Sequence, residues 1–397
     1  MNKPLVRAEI DLDAISHNIG ELLRITSSGA SLMAVVKADA YGHGMIEVAK
    51  QALKSGAKAL GVARIDEAVK LREAGIGEKI LIFGYPPASE AERLFEFDLS
   101  QTVYSYNTAE SLSKLAFLCG KSIRIHLKVD TGMGRVGLLP DFLRPSASSG
   151  KPEISAALKV LSLSKLPGLE LEGIFTHFAA ADRLDRSYAD RQFEIFMDFI
   201  DQLRASGLEI PVKHAANSAA IIQMPKTHLD MVRAGITIYG LYPSDEIDKS
   251  RIALKPAMEL KTRVIHLKAV PAGFNVSYGM TYKTGKPTII ATVPVGYADG
   301  YNRGLSSKGC MLVRGRKAPV IGRVCMDMTM LDVGHIPEIE VGDEAVIFGK
   351  QENLSISADE IASALNTINY EIVSAITDRI PRIYYNSAHR NKKSVNR

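Results

Sequence analysis

Eight short apolar runs, most of them followed by a helical stretch, constrain the fold of this chain more than any other feature. The runs are Leu32–Lys37, Ala59–Ala63, Ile80–Gly84, Thr102–Ser105, Ile123–Val129, Leu171–His177, Val212–Ala216 and Met231–Tyr239. Segments this short, apolar and closed by Gly or a polar turn read as strands buried on both faces. Helical periodicity appears at Asp13–Thr26, Ile65–Ala74, Ser89–Glu96, Thr108–Leu118 and Asp185–Ala205. Such alternation predicts an α/β unit with a parallel sheet. Eight strands, with no GxGxxG after the first, predict a closed (β/α)8 TIM-type barrel over residues 1–254 rather than a doubly wound open sheet.

The texture changes after Leu254, where Val, Thr, Gly and Pro become dense. Leu260–Leu267, Thr288–Val293, Met311–Val313 and Ala345–Phe348 read as short strands, with one helix at Ser357–Leu365. Residues 255–385 are therefore expected to form a mainly β C-terminal domain. The Pro- and Ser-rich stretch Leu143–Ser155 reads as a surface insertion after the fifth barrel strand. A net charge of +5 owes four of its positive charges to Arg390, Lys392, Lys393 and Arg397. Residues 386–397 read as a disordered basic tail. The remainder is nearly balanced and carries no basic stripe with interleaved aromatics, so no nucleic-acid partner is expected. No apolar run approaches a membrane span, and charges interrupt Met1–Ile10, so a cytoplasmic protein without a membrane partner is expected. The three cysteines, Cys119, Cys310 and Cys325, form no CxxC pair, which predicts reduced thiols and no metal site.

Against this frame, several strings bear chemistry. Ala34-Val35-Val36-Lys37-Ala38-Asp39-Ala40-Tyr41-Gly42-His43-Gly44 places a lysine where the first barrel strand turns into a loop. Burial can leave such a lysine as a neutral amine able to form a Schiff base. A lysine snorkelling to solvent fits the same position. Lys128-Val129-Asp130-Thr131-Gly132-Met133-Gly134-Arg135 ends the fifth strand with a lysine, a Gly-rich turn and an arginine suited to a carboxylate or to a loop-closing ion pair. Thr176-His177-Phe178 closes the sixth strand. In the string starting at His214, Asn217 or Ser218 is placed to cap a helix whose first amides face an anion. Arg233-Ala234-Gly235-Ile236 lies at the eighth strand, and phosphate sites of such barrels form after strands seven and eight.

These strings, in this order and over nearly the whole chain, resemble those of the alanine racemases. The resemblance implies pyridoxal 5'-phosphate (PLP) held by Lys37, with Tyr41, Ser218, Gly235 and Ile236 at the cofactor phosphate. It further implies Asn217 among the cofactor contacts, His177 near the cofactor ring and Arg233 at the pyridine nitrogen. Arg135 is expected to contact substrate, and Lys128 corresponds to a lysine that is carbamylated in several members. In the C-terminal domain, Val276-Ser277-Tyr278-Gly279-Met280-Thr281-Tyr282 resembles the string holding the second catalytic base, Tyr278 opposing Lys37. Tyr297 and Met326, in Gly296–Gly300 and Arg323–Met328, are expected near substrate. The implied protein interconverts L- and D-alanine to supply peptidoglycan, as a head-to-tail homodimer with shared active sites. Asp39 stands where asparagine is more usual. Asp378 replaces a tyrosine that some relatives set against the phosphate, so no phosphate role is carried to the C-terminus. A serine or broad-specificity racemase shares these strings. A related decarboxylase would place a carboxylate where Arg233 stands, and a non-catalytic PLP-binding protein would consist of the barrel alone.

Overall fold

A computed structural model describes residues 4–143 and 155–386. Most of the expected insertion and nearly all of the basic tail lie outside the described residues. Contacts divide the described chain into two units.

Residues 15–40 and 45–255 form the barrel unit. Its strands are β1 (Ser31–Val35), β2 (Ala59–Val62), β3 (Lys79–Ile82), β4 (Ser100–Val103), β5 (Ile123–Lys128), β6 (Leu169–Phe175), β7 (Val212–His214) and β8 (Met231–Ala234). All are parallel and paired in chain order, and β8 returns to pair with β1 through Leu32–Val232 and Met33–Arg233. No ladder joins β7 to β8. Two backbone bonds span that seam instead, Asp230 N to Lys213 O and Arg233 N to Ala216 O, both 3.0 Å. The strands are near-continuous apolar runs because helices cover the outside while side chains fill the inside. Met33, Ala59, Leu81 and Met231 make one packed interior layer, with Phe83 and Val212 against it.

Helices form where an apolar stripe recurs every three or four residues. In Ser187–Ala205 that stripe is Phe193, Phe196, Phe199, Ile200 and Leu203, all buried. Ser105 starts Tyr106–Leu118 by accepting the Thr108 amide at 3.2 Å. The segment read as a single strand to Tyr239 ends at Ala234. Gly235 turns the backbone, and Ile236–Tyr239 is a 3-10 turn tied to β1 by Tyr239 Oη donating to Val35 O at 2.8 Å.

The second unit takes residues 4–14, 41–44 and 256–386. The N-terminal strand Arg7–Asp11 thus belongs here and not to the barrel. It pairs antiparallel with Met258–Arg263 and parallel with Arg382–Tyr385 in a large sheet. Buried charges select this pairing: Glu9 meets Arg7 at 2.8 Å and Lys261 at 3.0 Å. Leu260–Leu267, read as one strand, is two: Met258–Arg263 in the large sheet and His266–Val270 in a three-stranded sheet with Thr288–Val293 and Thr329–Asp332. Ala358–Leu365 opens on a capping box, Ser357 accepting Glu360 N at 3.0 Å while the Glu360 carboxylate accepts Ser357 N at 3.3 Å. Gly42 and Gly44 have positive φ, and a Cβ there would strike Val373 O at 2.2 Å and Tyr384 Oη at 1.7 Å. Among the described residues, no helix is long and apolar enough to cross a membrane.

Candidate active site

In a parallel barrel the chemistry gathers at the C-terminal ends of the strands, and there the barrel unit collects its cations. Lys37 follows β1, Lys128 ends β5, Arg135 leaves the turn after β5, and Arg233 lies in β8. Burial lowers the Lys37 amine below its ordinary range, aided by the positive field of Arg135 and opposed by Glu67. Lys128 is pushed down to about 7 by burial and then by Arg233, with Asp130 opposing. Its Nζ donates to Val129 O at 2.7 Å and lies 5.5 Å from the Phe175 ring centre.

Arg233 is held from several sides. Nη1 donates to His214 Nδ1 at 3.0 Å, and Nη2 donates to Thr176 O at 2.8 Å and Ala215 O at 2.9 Å. Nη2 also lies 3.3 Å from His177 Nδ1. Burial, then Arg135, lowers Arg233 to about 9, which leaves it charged at neutral pH. His177 is driven well below the usual imidazole range by burial and by the neighbouring Arg233, Arg135, Lys128 and Lys37. Both ring nitrogens of this histidine therefore belong to a neutral imidazole.

Among the described residues, the carboxylates of Glu67 and Asp130 act on this cluster, and both are engaged by backbone. Glu67 accepts the amides of Ala38 at 2.6 Å, Ala63 at 2.7 Å and Arg64 at 3.0 Å. Asp130 accepts those of Gly132, Met133 and Gly134 at 2.9, 2.8 and 3.1 Å. Neither forms a direct ion pair with a site cation, so the mouth remains positive. That donor set suits an anionic ligand.

Ser218 and Gly235 meet at the seam after β7 and β8. Ser218 Oγ accepts from Gly235 N at 2.9 Å and from Thr237 Oγ1 at 3.0 Å. With both lone pairs taken, this buried hydroxyl has only its proton to offer, which suits a phosphate oxygen. Asn217 is the cap: its side chain accepts Ala220 N at 3.0 Å. Ile236 is buried and opens the 3-10 turn beside Gly235.

The remaining candidates lie in the second unit. Tyr41 packs its ring 6.1 Å from Tyr370, and burial raises its hydroxyl to about 12. Three separate strings are brought together: Tyr297 N and Ala298 N donate to Cys325 O and Met326 O at 3.0 and 3.1 Å, and Ser277 Oγ donates to Arg323 O at 2.7 Å. Tyr278, Tyr297 and Met326 thus share one surface of this unit and are 71, 41 and 53% exposed. Cys325 is a free thiol, and no group of three metal-ligating side chains occurs among the described residues. Glu67 and Phe175 complete the barrel site without having been singled out in the sequence. The first had one signal, an acid in the first turn of Ile65–Glu73.

Fold and site define a class: an α/β barrel with a desolvated lysine and a cationic mouth, accompanied by a β unit that presents tyrosines. Residues 10–243 match the family model "Alanine racemase, N-terminal domain", and 257–384 match "Alanine racemase, C-terminal domain". The alanine racemase of Desulfosudis oleivorans is 55% identical over 98% of both chains, and that of Methanococcus maripaludis 48% identical over 95% of this chain and 98% of its own. The solved alanine racemase of Clostridium difficile is 39% identical with a TM-score of 0.89, covering 98% of this chain and 97% of that one. A Bacillus anthracis alanine racemase with bound L-Ala-P is 37% identical with a TM-score of 0.89, covering 98% and 96%. The chain belongs to the alanine racemase family.

Proposed function

We propose that this chain interconverts L- and D-alanine with PLP, using Lys37 and Tyr278 as opposed acid–base groups, and so supplies D-alanine for peptidoglycan. The observation that carries the proposal is the cluster of Lys37, Lys128, Arg135 and Arg233, whose nearby carboxylates are engaged by backbone amides. Lys37 would hold the cofactor covalently, with its phosphate at Ser218, Gly235 and Ile236. Asn217 supports that site by capping the adjoining helix, and the sequence match adds the Tyr41 hydroxyl to it. When bound, PLP supplies a conjugated electron sink that stabilises negative charge at the substrate Cα.

Everything else falls to the protein. Arg135, exposed in the Gly-rich turn, binds the substrate carboxylate. Arg233 would face the pyridine nitrogen, where a guanidinium donates a hydrogen bond without giving up its proton. Lys37, with its proton affinity already lowered by desolvation, takes or returns the Cα proton on one face. Tyr278 does so on the other, and its exposure in its own unit fits a group offered to a second copy of the chain. A phenol, whose unperturbed pKa is near ~10, needs a cationic neighbour to act as base; Arg233 is the proposed one, with the neutral His177 beside it. Tyr297 and Met326 limit the space around the substrate side chain. Lys128, near neutrality at pH 7, is poised to accept carbon dioxide as a carbamate facing Arg135.

Purified protein incubated with a panel of L-amino acids, with detection of D-products, tests this reading. L-Alanine should be the preferred substrate. Faster turnover of serine would make the chain a serine racemase, and no turnover of any amino acid would leave only a PLP-binding protein. Borohydride reduction should fix the cofactor to the peptide containing Lys37. Cofactor fixed to another lysine would defeat the assignment.

A further inference from the structure

Beneath Arg233 a chain of polar side chains crosses the barrel interior to its far end. His214 Nδ1 accepts from Arg233 at 3.0 Å, and His214 Nε2 lies 2.9 Å from His126 Nδ1. His126 Nε2 lies 3.3 Å from Glu172 Oε2. Glu172 also accepts Ser100 Oγ at 3.0 Å, bonds Lys79, and has Arg124 Nε at 4.0 Å. Ser100 and Lys79 are the first residues of β4 and β3, and Lys79 reaches solvent with 61% of its side chain exposed. The chain therefore runs from the catalytic mouth to the barrel floor.

From the geometry of these bonds we infer that Glu172, through His126 and His214, is a positioning residue that holds Arg233 as a directed donor. The argument is proton counting. A guanidinium has only N–H groups to offer, so His214 Nδ1 must be bare. A neutral His214 then carries its proton on Nε2 and donates to His126, whose Nδ1 must also be bare. His126 in turn carries its proton on Nε2 and donates to a carboxylate, which can only accept. A cation at one end and an anion at the other thus allow a single direction along the chain. Burial and the neighbouring Arg233 keep His214 neutral, and the bond from His126 keeps Glu172 ionised, which agrees with that direction.

Packing holds the same arrangement. Phe175 stacks on His214 with centroids 4.7 Å apart and planes 10° from parallel, and it also lies under Arg233. A Cβ on Gly173 would meet His126 Nδ1 at 2.3 Å, so the glycine leaves the space that the imidazole fills. Burying an ion and two imidazoles contributes little to stability by itself, because apolar residues of similar volume often fill such a core without loss.

The inference rests on the proposed role of Arg233 but is tested separately from it. Full-length protein labelled with nitrogen-15 histidine should show His214 and His126 as neutral tautomers protonated on Nε2 at pH 7. Either histidine protonated on Nδ1, or charged, would overturn the inference without bearing on racemisation. Glu172→Gln supplies the second arm, since an amide both donates and accepts and no longer forces one direction. It should mix the His214 tautomers and lower kcat for alanine by roughly 10- to 100-fold, the scale for groups that orient a reacting residue from behind. KM should change little, because Arg135 is untouched. Mixed tautomers with an unchanged kcat would reduce the chain to core packing. A wild-type protein that does not racemise would defeat the functional reading instead, while the tautomers would still decide the relay.

Discussion

A lysine buried out of water, and then set beside other cations, releases its proton early, and Lys128 makes that measurable. It loses its proton near 7 in the folded barrel against an ordinary 10.5. Between those values the unfolded chain binds one more proton than the folded one, so this residue makes stability rise with pH across the window and withholds that gain below it. In cofactor-free protein and buffer stripped of carbon dioxide, the melting temperature of wild type should gain on that of Lys128→Met from pH 6 to pH 9. Parallel pH curves would show that Lys128 titrates normally. Tyr278→Phe should keep PLP yet lose on the order of 10²–10⁴ in rate, the scale of one general acid–base group. In deuterated water this variant should still exchange the α-proton of D-alanine through Lys37 and nearly cease to exchange that of L-alanine. Equal loss from both enantiomers would contradict the assignment of faces. Lys37, Arg135, His177 and Arg233 were legible as candidates because each stands in a specific string. Glu67 was not, because its role depends on Ala38, Ala63 and Arg64 amides converging on one carboxylate, which no local pattern announces.

The loop after β1 is the most strained element of the site. Ala38, Asp39, Ala40 and Tyr41 all have φ between 51 and 54°, a left-handed turn made without glycine. Each such residue costs roughly 1–2 kcal/mol relative to a right-handed conformation. Asp39 offsets part of this by accepting Met45 N at 2.8 Å, and Glu67 holds Ala38 N. Ala38 is exposed, so Ala38→Gly removes the Cβ conflict without opening a cavity. Stability to urea should stay level or rise by up to about 1 kcal/mol, whereas Ala38→Val should lose more than that. A glycine variant destabilised as if in an ordinary helix would refute the strain. Such a turn was invisible in the sequence, since alanine carries no signal for positive φ. The break at Gly235 was hidden for a related reason: Ile236–Tyr239 is as apolar as β8, and only its bond to Val35 O shows it turning away. The split of Leu260–Leu267 lies between Arg263 and His266, where the chain leaves one sheet for another with no glycine or proline to mark it.

At the scale of the molecule, eight apolar runs sufficed to anticipate the barrel, because closure of parallel strands follows from burial on both faces and alternation with helices. The origin of the second unit's large sheet was not legible in the same way. Arg7–Asp11 precedes the barrel in sequence, and besides the pair Arg7 and Glu9 make with each other, their charges meet Glu344 and Lys261, far along the chain. The surface that bears Tyr278 and Tyr297 also exposes Met280, Met326 and Met328. Apolar exposure of this kind marks an interface, and the proposed occupant is the barrel mouth of a second copy. The central claim is that each active site takes Lys37 from one chain and Tyr278 from its partner, and complementation tests it most directly. Lys37→Ala and Tyr278→Phe proteins, each inactive alone, are mixed under conditions where tagged subunits are shown to exchange. Half of the dimers would then be mixed and half of their sites intact, so activity should recover to about a quarter of wild type in a symmetric dimer. A mixture that stays inactive after demonstrated exchange would contradict the shared site.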